Sequence, residues 1–232
     1  MNHFEQRSTA SELIDEPGIP FGDWETCLEE LDVINTWLGG HAITVEGVKH
    51  LYLNKNQPIT IAETGCGGGD NLKAIYRKFR NADLRFIGID LNQACINYAV
   101  RNCKEIPGAT FICSDYRKVD FGTSKPDIIF NSLFCHHFSN DDLVNMMRWM
   151  KDNSRLGFFI NDLHRHPLAC TSIRLLTRLF SKSYLVKNDA PISVMRGFVK
   201  SDWQSIMDAA GLKNYSIGWR WAFRHLVLYS HE

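Results

Sequence analysis

The chain has 232 residues, 44% of them hydrophobic and 22% charged, the make-up of an ordinary globular protein and the length of one α/β domain with additions. Twenty-six basic residues balance twenty-six acidic ones, so no global field draws the chain to nucleic acid or to an anionic membrane. No apolar run is long enough to span a bilayer, and the first residues lack the apolar stretch of a secretion signal. The cysteines at 27, 66, 95, 103, 113, 135 and 170 form no Cys-x-x-Cys pair. That scatter predicts reduced thiols and a cytoplasmic protein.

Residues 1–56 read as a polar, helical cap segment set in front of the main domain, residues 57–232. Asp23 is placed to cap a helix from Trp24 to Leu38, ended by Gly39-Gly40. That helix is either plain packing or a cover over the active site. From Pro58 onward strands and helices alternate. Ile59-Thr-Ile-Ala-Glu63 is a buried strand by composition, and the glycines at 65, 67, 68 and 69 turn it into a helix from Asn71. Further strands are expected at Leu84–Asp90, Ala109–Cys113, Asp127–Leu133 and Gly157–Asn161. Ser139 with Asp142 makes a capping box, Pro167 opens a helix, and Ser201 with Gln204 makes a second box. Residues 181–200 read as a loop over the pocket, next to a helix carrying Arg174 and Arg178. Asn214–Gly218 and Phe223–Tyr229 form a closing hairpin.

Repeated βα units imply a parallel sheet with helices on both faces, in the Rossmann-like manner, and ligands bind beyond the carboxyl ends of such strands. The polar residues fall there. Glu63 to Gly69, Asp90, Asp115, Asn131 to His137 and Asp162 to His166 each follow a strand. Glycine brings a main chain close to a bound molecule, because no Cβ intervenes. Asp90 comes about 20 residues after the loop, the spacing at which an acid accepts ribose hydroxyls. Its alternative role is a helix cap. Asp115 is placed either to accept from an adenine amino group, with Leu91 or Tyr116 on the ring face, or to stabilise a turn. A dinucleotide loop would need glycine where Asp70 stands, whereas Glu-x-Gly-x-Gly-x-Gly is complete.

Glu63-x-Gly65-x-Gly67-x-Gly69, Asp90 and Ser114-Asp115 together resemble the nucleotide-site motifs of class I S-adenosylmethionine-dependent methyltransferases. The resemblance implies a seven-stranded sheet whose last strand is antiparallel, and S-adenosylmethionine as cofactor. Carried over by position, Glu63, Gly65, Cys66, Gly67 and Gly69 would pass under the methionine part. Asp90 would hold the ribose, Leu91, Asp115 and Tyr116 would flank the adenine, and Asn131 with Ser132 would border the transferable methyl group. Leu133-Phe-Cys-His136-His137-Phe138 is similar to ubiquinone and menaquinone C-methyltransferases. Glu12-Leu-Ile-Asp-Glu-Pro17, Ile34–Gly40 and Asn161–Pro167 resemble methyltransferases that accompany type III polyketide synthases. A small phenolic or quinone-like acceptor follows from that likeness. The strand-four segment Asn131-Ser-Leu-Phe134 lacks the prolines of enzymes that methylate amide or adenine nitrogen, which removes nucleic acid as a partner.

Methyl transfer from a sulfonium is an in-line displacement, and alignment supplies most of the help. A phenol or carbon acid gains from a base, and His136 and His164 are the candidates, with Asp162 as orienter or alternative base. Cys135, His136, His137, His164 and His166 show no paired spacing for zinc, so no metal is expected. Two rival readings are an NAD(P)-dependent oxidoreductase on the same topology and a non-catalytic protein that binds S-adenosylmethionine. Acceptor atom and oligomeric state are not encoded in these motifs.

Overall fold

Ile59–Thr64 is an apolar, β-branched run, and in a computed structural model describing residues 4–16, 18–52 and 57–231 it is the middle strand, β1, of a seven-stranded sheet. The others are β2 (Leu84–Asp90), β3 (Thr110–Cys113), β4 (Ile128–Ser132), β5 (Gly157–Leu163), β6 (Tyr215–Arg220) and β7 (Arg224–Ser230), in the order β3-β2-β1-β4-β5-β7-β6. β1 to β5 pair in parallel, and β7 enters antiparallel between β5 and β6. The chain reverses its direction of sheet growth between β1 and β4, and ligands bind outside the carboxyl ends at such a switch point.

The helices in chain order are α1 (Phe21–Trp37), α2 (Gly40–Leu51), α3 (Asp70–Lys78), α4 (Gln93–Asn102), α5 (Asn140–Asn153), α6 (Pro167–Phe180), α7 (Tyr184–Arg196) and α8 (Lys200–Ala209). Alternation along the strands sorts the core into two layers. Ala62, Ile129, Phe158 and Ile160 face α5 and α8, where Met146, Met150, Trp203 and Met207 are buried. Ile61, Ile128, Phe130 and Phe159 face α2 and α3, where Ile43, Val48, Leu72 and Ile75 are buried.

α2 therefore belongs to the sheet's own layer rather than to a detached cap. A Cβ on Gly47 would stand 2.5 Å from the Phe159 ring, so glycine is what lets helix and sheet approach this closely. The boundary drawn at residue 56 lies outside the described residues. α1 starts three residues earlier than expected, behind Pro20, and Asp23 sits in its first turn without capping it. Residues 184–196, expected as loop, are a helix despite Pro191. Its buried face, Leu185, Val186 and Val194, outweighs the one main-chain hydrogen bond that proline removes. The box expected at Ser201 shifts upstream: α8 begins at Lys200, and the Asp202 carboxylate accepts from the Val199 N–H at 2.9 Å. Ser139 and Pro167 open their helices as expected. Among the described residues, no helix is long and apolar enough to cross a membrane.

Candidate active site

The glycine loop folds back onto the end of β2. The N–H groups of Gly65 and Cys66 both donate to the Ile89 carbonyl, at 2.8 and 3.0 Å. The Gly67 N–H donates to Asp90 Oδ2 at 2.9 Å, and Asp90 Oδ1 accepts from the Asn92 N–H at 2.9 Å. Burial pushes the Asp90 carboxyl upward while these N–H groups pull it down. Amides that a pyrophosphate would need are thus already used, and α3 opens with an acid, Asp70, which burial and nearby Asp32 push up to about 6. The loop suits a ligand without phosphate.

Glu63 is 1% exposed. Its Oε1 accepts from Asn71 Nδ2 at 2.8 Å, and Oε2 is buried with no hydrogen-bond partner among the described residues. Burial drives this carboxyl well above the ordinary carboxylate range. Asn71 passes the network on to His41 Nδ1 at 2.9 Å, and His41 Nε2 reaches Asp32 at 2.8 Å. Burial opposes the charged imidazole, but Asp32 and Asn71 prevail and raise its pKa. The first helices thus close over the loop through an imidazole held between Asp32 and Asn71. Leu28 of α1 lies 3.5 Å from the position of a Cβ on Gly67. The orphaned Glu63 oxygen, beside an open-phosphate-free glycine turn, fits the ammonium of an amino-acid moiety such as the methionine part of S-adenosylmethionine.

Several residues singled out from sequence lie elsewhere than expected. Asn131 turns inward, its Nδ2 against the sulfurs of Met146 and Met150 at 3.6 and 3.7 Å, because the strand's alternation aims it at α5. Ser132, on the other face, accepts from Asn161 Nδ2 at 3.3 Å. Tyr116 is buried edge-on to Phe134, Phe138 and Trp149, so its ring packs in the core instead of covering an adenine. Leu91, by contrast, is 75% exposed. Asp115 pairs with Arg117 at 2.6 Å, which holds its carboxyl below the usual range. The Cys66 thiol is buried against Gly88, leaving only its main chain to the loop.

Beyond β4 and β5 the buried Asp162 gathers the next turn. Its Oδ1 accepts from His136 Nδ1 at 2.8 Å and from the Leu163 N–H at 2.7 Å, and Oδ2 accepts from the N–H groups of Phe134 and His136 at 3.2 and 3.3 Å. Burial opposes its ionisation, yet His136 and these donors keep the carboxyl below the usual range. His136 and His137 line a cleft of about 610 Å³ together with Arg7 and Arg196. His164 belongs to another cluster, with His166, Phe223 and His225. The Trp219 indole N–H donates to His164 Nδ1 at 3.2 Å, which places that imidazole's proton on Nε2 and occupies its basic nitrogen. Cys135 is buried against Asn131 and Met146, so the five residues weighed for zinc do not converge. Arg174 and Arg178 line a separate cleft between α6 and α7.

A family model described as a methyltransferase domain matches residues 61–157. Residues 61–157 thus match a methyltransferase domain, and the seven-stranded sheet is that of the class I methyltransferase fold. A search of curated proteins finds no match to the chain. Among solved structures the fold is similar to the plantazolicin methyltransferase BpumL in complex with SAH, at TM-score 0.66 and 18% identity over 91% of this chain and 94% of that one. It is also similar to a SAM-dependent methyltransferase from Aquifex aeolicus, at TM-score 0.64 and 15% identity over 88% and 97%. A magnesium protoporphyrin IX methyltransferase from Synechocystis with bound SAM aligns at TM-score 0.50 and 12% identity over 94% and 86%. The matched segment takes in the glycine loop, Asp90 and Asp115.

Sequence reasoning missed Glu12, Arg7, Arg196 and His41 as site neighbours. The Glu12–Pro17 segment carried a family likeness, the only signal for Glu12, since nothing local links it to residues 136 and 137.

Proposed function

We propose that this methyltransferase domain methylates a small organic acceptor of phenolic or quinone-like type. The observation that carries the reading is the meeting, at one switch point, of two differently equipped strand ends. β1 and β2 bring Glu63, the glycine turn and Asp90, a set for an amino-acid-bearing nucleoside. β4 and β5 bring the Asp162–His136 pair beside an open cleft. Bound S-adenosylmethionine supplies an electrophilic methyl group on sulfur. Glu63 would hold its ammonium, Asp90 its ribose, and Asp115 and exposed Leu91 its adenine.

The protein's own part is alignment and exclusion of water. α1 lies over the loop and residues 4–16 lie over the β4–β5 ends, where Arg7 donates to the carbonyls of His136 and Phe138 at 3.2 and 2.9 Å. Asp162, fully buried, acts through His136 and is a positioning residue. Of the two candidate bases, His136 is the one oriented by Asp162; His164, with Nδ1 taken by Trp219, is less suited to that task. Two of the solved structures of this fold are named for organic acceptors, plantazolicin and magnesium protoporphyrin IX, which supports an acceptor of that kind.

The test is turnover of labelled S-adenosylmethionine with a panel of phenols, quinols, carboxylates and amines. Label is expected in phenols or quinols, and His136→Gln is expected to lower turnover while S-adenosylhomocysteine binding holds. Label in amines alone would replace the phenolic reading. Binding without transfer to any member would favour the non-catalytic one, and tight NADH binding would restore the oxidoreductase.

A further inference from the structure

Glu12 and the adjacent pair His136-His137 stand more than 120 residues apart in the chain, yet their ligating atoms lie within 4.8 Å of one another. The hydrogen bonds around them fix which nitrogens carry protons. Asp162 takes Nδ1 of His136 at 2.8 Å, and Asp15 faces Nδ1 of His137 at 3.2 Å. With each Nδ1–H committed to a carboxylate, each Nε2 presents a lone pair. Both lone pairs face Glu12: His136 Nε2 is 3.7 Å from Oε1, and His137 Nε2 is 4.0 Å from Oε2. Those gaps are too long for hydrogen bonds. Glu12 is 3% exposed and its Oε1 is buried with no hydrogen-bond partner among the described residues.

Three potential ligand atoms thus converge on one point, an arrangement that a positive ion inside would stabilise. The surroundings supply part of that charge. Arg196 Nε stands 3.6 Å from Glu12 Oε1, although it donates to the His136 carbonyl at 2.9 Å. Ser193 donates to Glu12 Oε2 at 2.8 Å. Imidazoles held by carboxylates on the far nitrogen are the usual outer shell of a metal centre. Tetrahedral bonds of about 2.0–2.2 Å set donor pairs roughly 3.3–3.6 Å apart, so the pairs at 3.7 and 4.0 Å need to close by only a few tenths of an ångström around an ion.

We propose that Glu12, His136 and His137 bind a divalent transition-metal ion of the zinc type, leaving a fourth position open. Two imidazoles and a carboxylate form the ligand set of open zinc sites. The ion would pin the segment carrying Glu12 to the turn after β4. His137, the more exposed of the two, lies at the cleft, so the open position would face it. This goes beyond the methyltransferase reading, and its readout is metal binding, which does not depend on turnover.

The test is calorimetric titration of zinc into the full-length chain after dialysis against a chelator, with cobalt(II) as an absorbance probe of coordination. One equivalent is expected, with the intense visible bands of a four-coordinate cobalt centre. Glu12→Gln and His137→Gln should each abolish both signals, and Asp15→Asn should weaken binding roughly 10–100-fold as an outer-shell change. His50→Gln, a surface histidine, should bind as the unaltered chain does. His137 is the more exposed ligand, so its variant decides if Glu12→Gln fails to fold by circular dichroism. Absence of saturable binding, or unchanged binding by His137→Gln, would overturn the site.

Discussion

The Gly67 N–H donates to Asp90 Oδ2 at 2.9 Å, so the acid expected to hold a ribose also fastens the loop that would pass under the methionine part. Removing the carboxylate should therefore cost twice: once in ligand contacts and once in loop order. Asp90→Ala is expected to weaken S-adenosylhomocysteine binding by about 2–3 kcal/mol, roughly 30–150-fold, from the loss of charge-assisted hydrogen bonds. Calorimetry measures it directly, and unchanged affinity would remove Asp90 from the ribose.

Glu63 should show opposite effects on stability and on binding. Its carboxyl is raised well above the ordinary value by burial, so in the ligand-free fold its ionisation is a penalty. An acid with a raised folded pKa loses stability as pH rises from its unfolded value through the folded one. Glu63→Gln should remove that loss and flatten the melting temperature of the ligand-free chain over that range. The same change removes the negative partner for an ammonium and should weaken S-adenosylhomocysteine about tenfold. A variant that binds as tightly as the unaltered chain would show that the orphaned Oε2 does not face the cofactor.

His41 gives the reverse sign. Burial lowers its pKa, but the hydrogen bonds to Asp32 and Asn71 more than offset this and the net shift is upward. The stabilisation is therefore fully present below the unfolded value near 6.5 and fades as pH climbs through the folded pKa. Melting curves from pH 6 to 9 should show that loss in the unaltered chain and not in His41→Asn. Parallel curves for the two proteins would mean that the ring is neutral.

How much of this was legible depends on whether a role is local. Glu63, the glycines and Asp90 follow from strand composition, turn chemistry and a spacing of about 20 residues, and the fold brings them together. Asn131 and Tyr116 misled because position after a strand does not fix direction. A single step of pleat sends Asn131 toward Met146 and Ser132 to the opposite face. Residues 184–196 misled because Pro191 and polar composition read as loop, while the helix is held by packing against α1 and α6 that no local signal announces. Glu12 is the extreme case: its partners stand more than 120 residues away in the chain, and no spacing rule connects them.

Gly65 links the two halves of the site sterically. It has φ +67°, and a Cβ there would lie 2.2 Å from Cδ2 of Phe134, the second residue beyond β4, which donates its N–H to Asp162. Gly65→Ala therefore meets two separate penalties. Left-handed backbone costs a residue with a Cβ about 1–2 kcal/mol, and overpacking against the ring adds about 1–3 kcal/mol. Adding Phe134→Ala should relieve the second penalty and leave the first. In a double-mutant cycle the pair should then be less destabilised than the sum of the single changes by about 1–3 kcal/mol. Chemical denaturation of the four proteins measures the coupling. Simple additivity would show that the ring moves aside without cost, and that the donor loop and the turn carrying His136 are not packed as one unit.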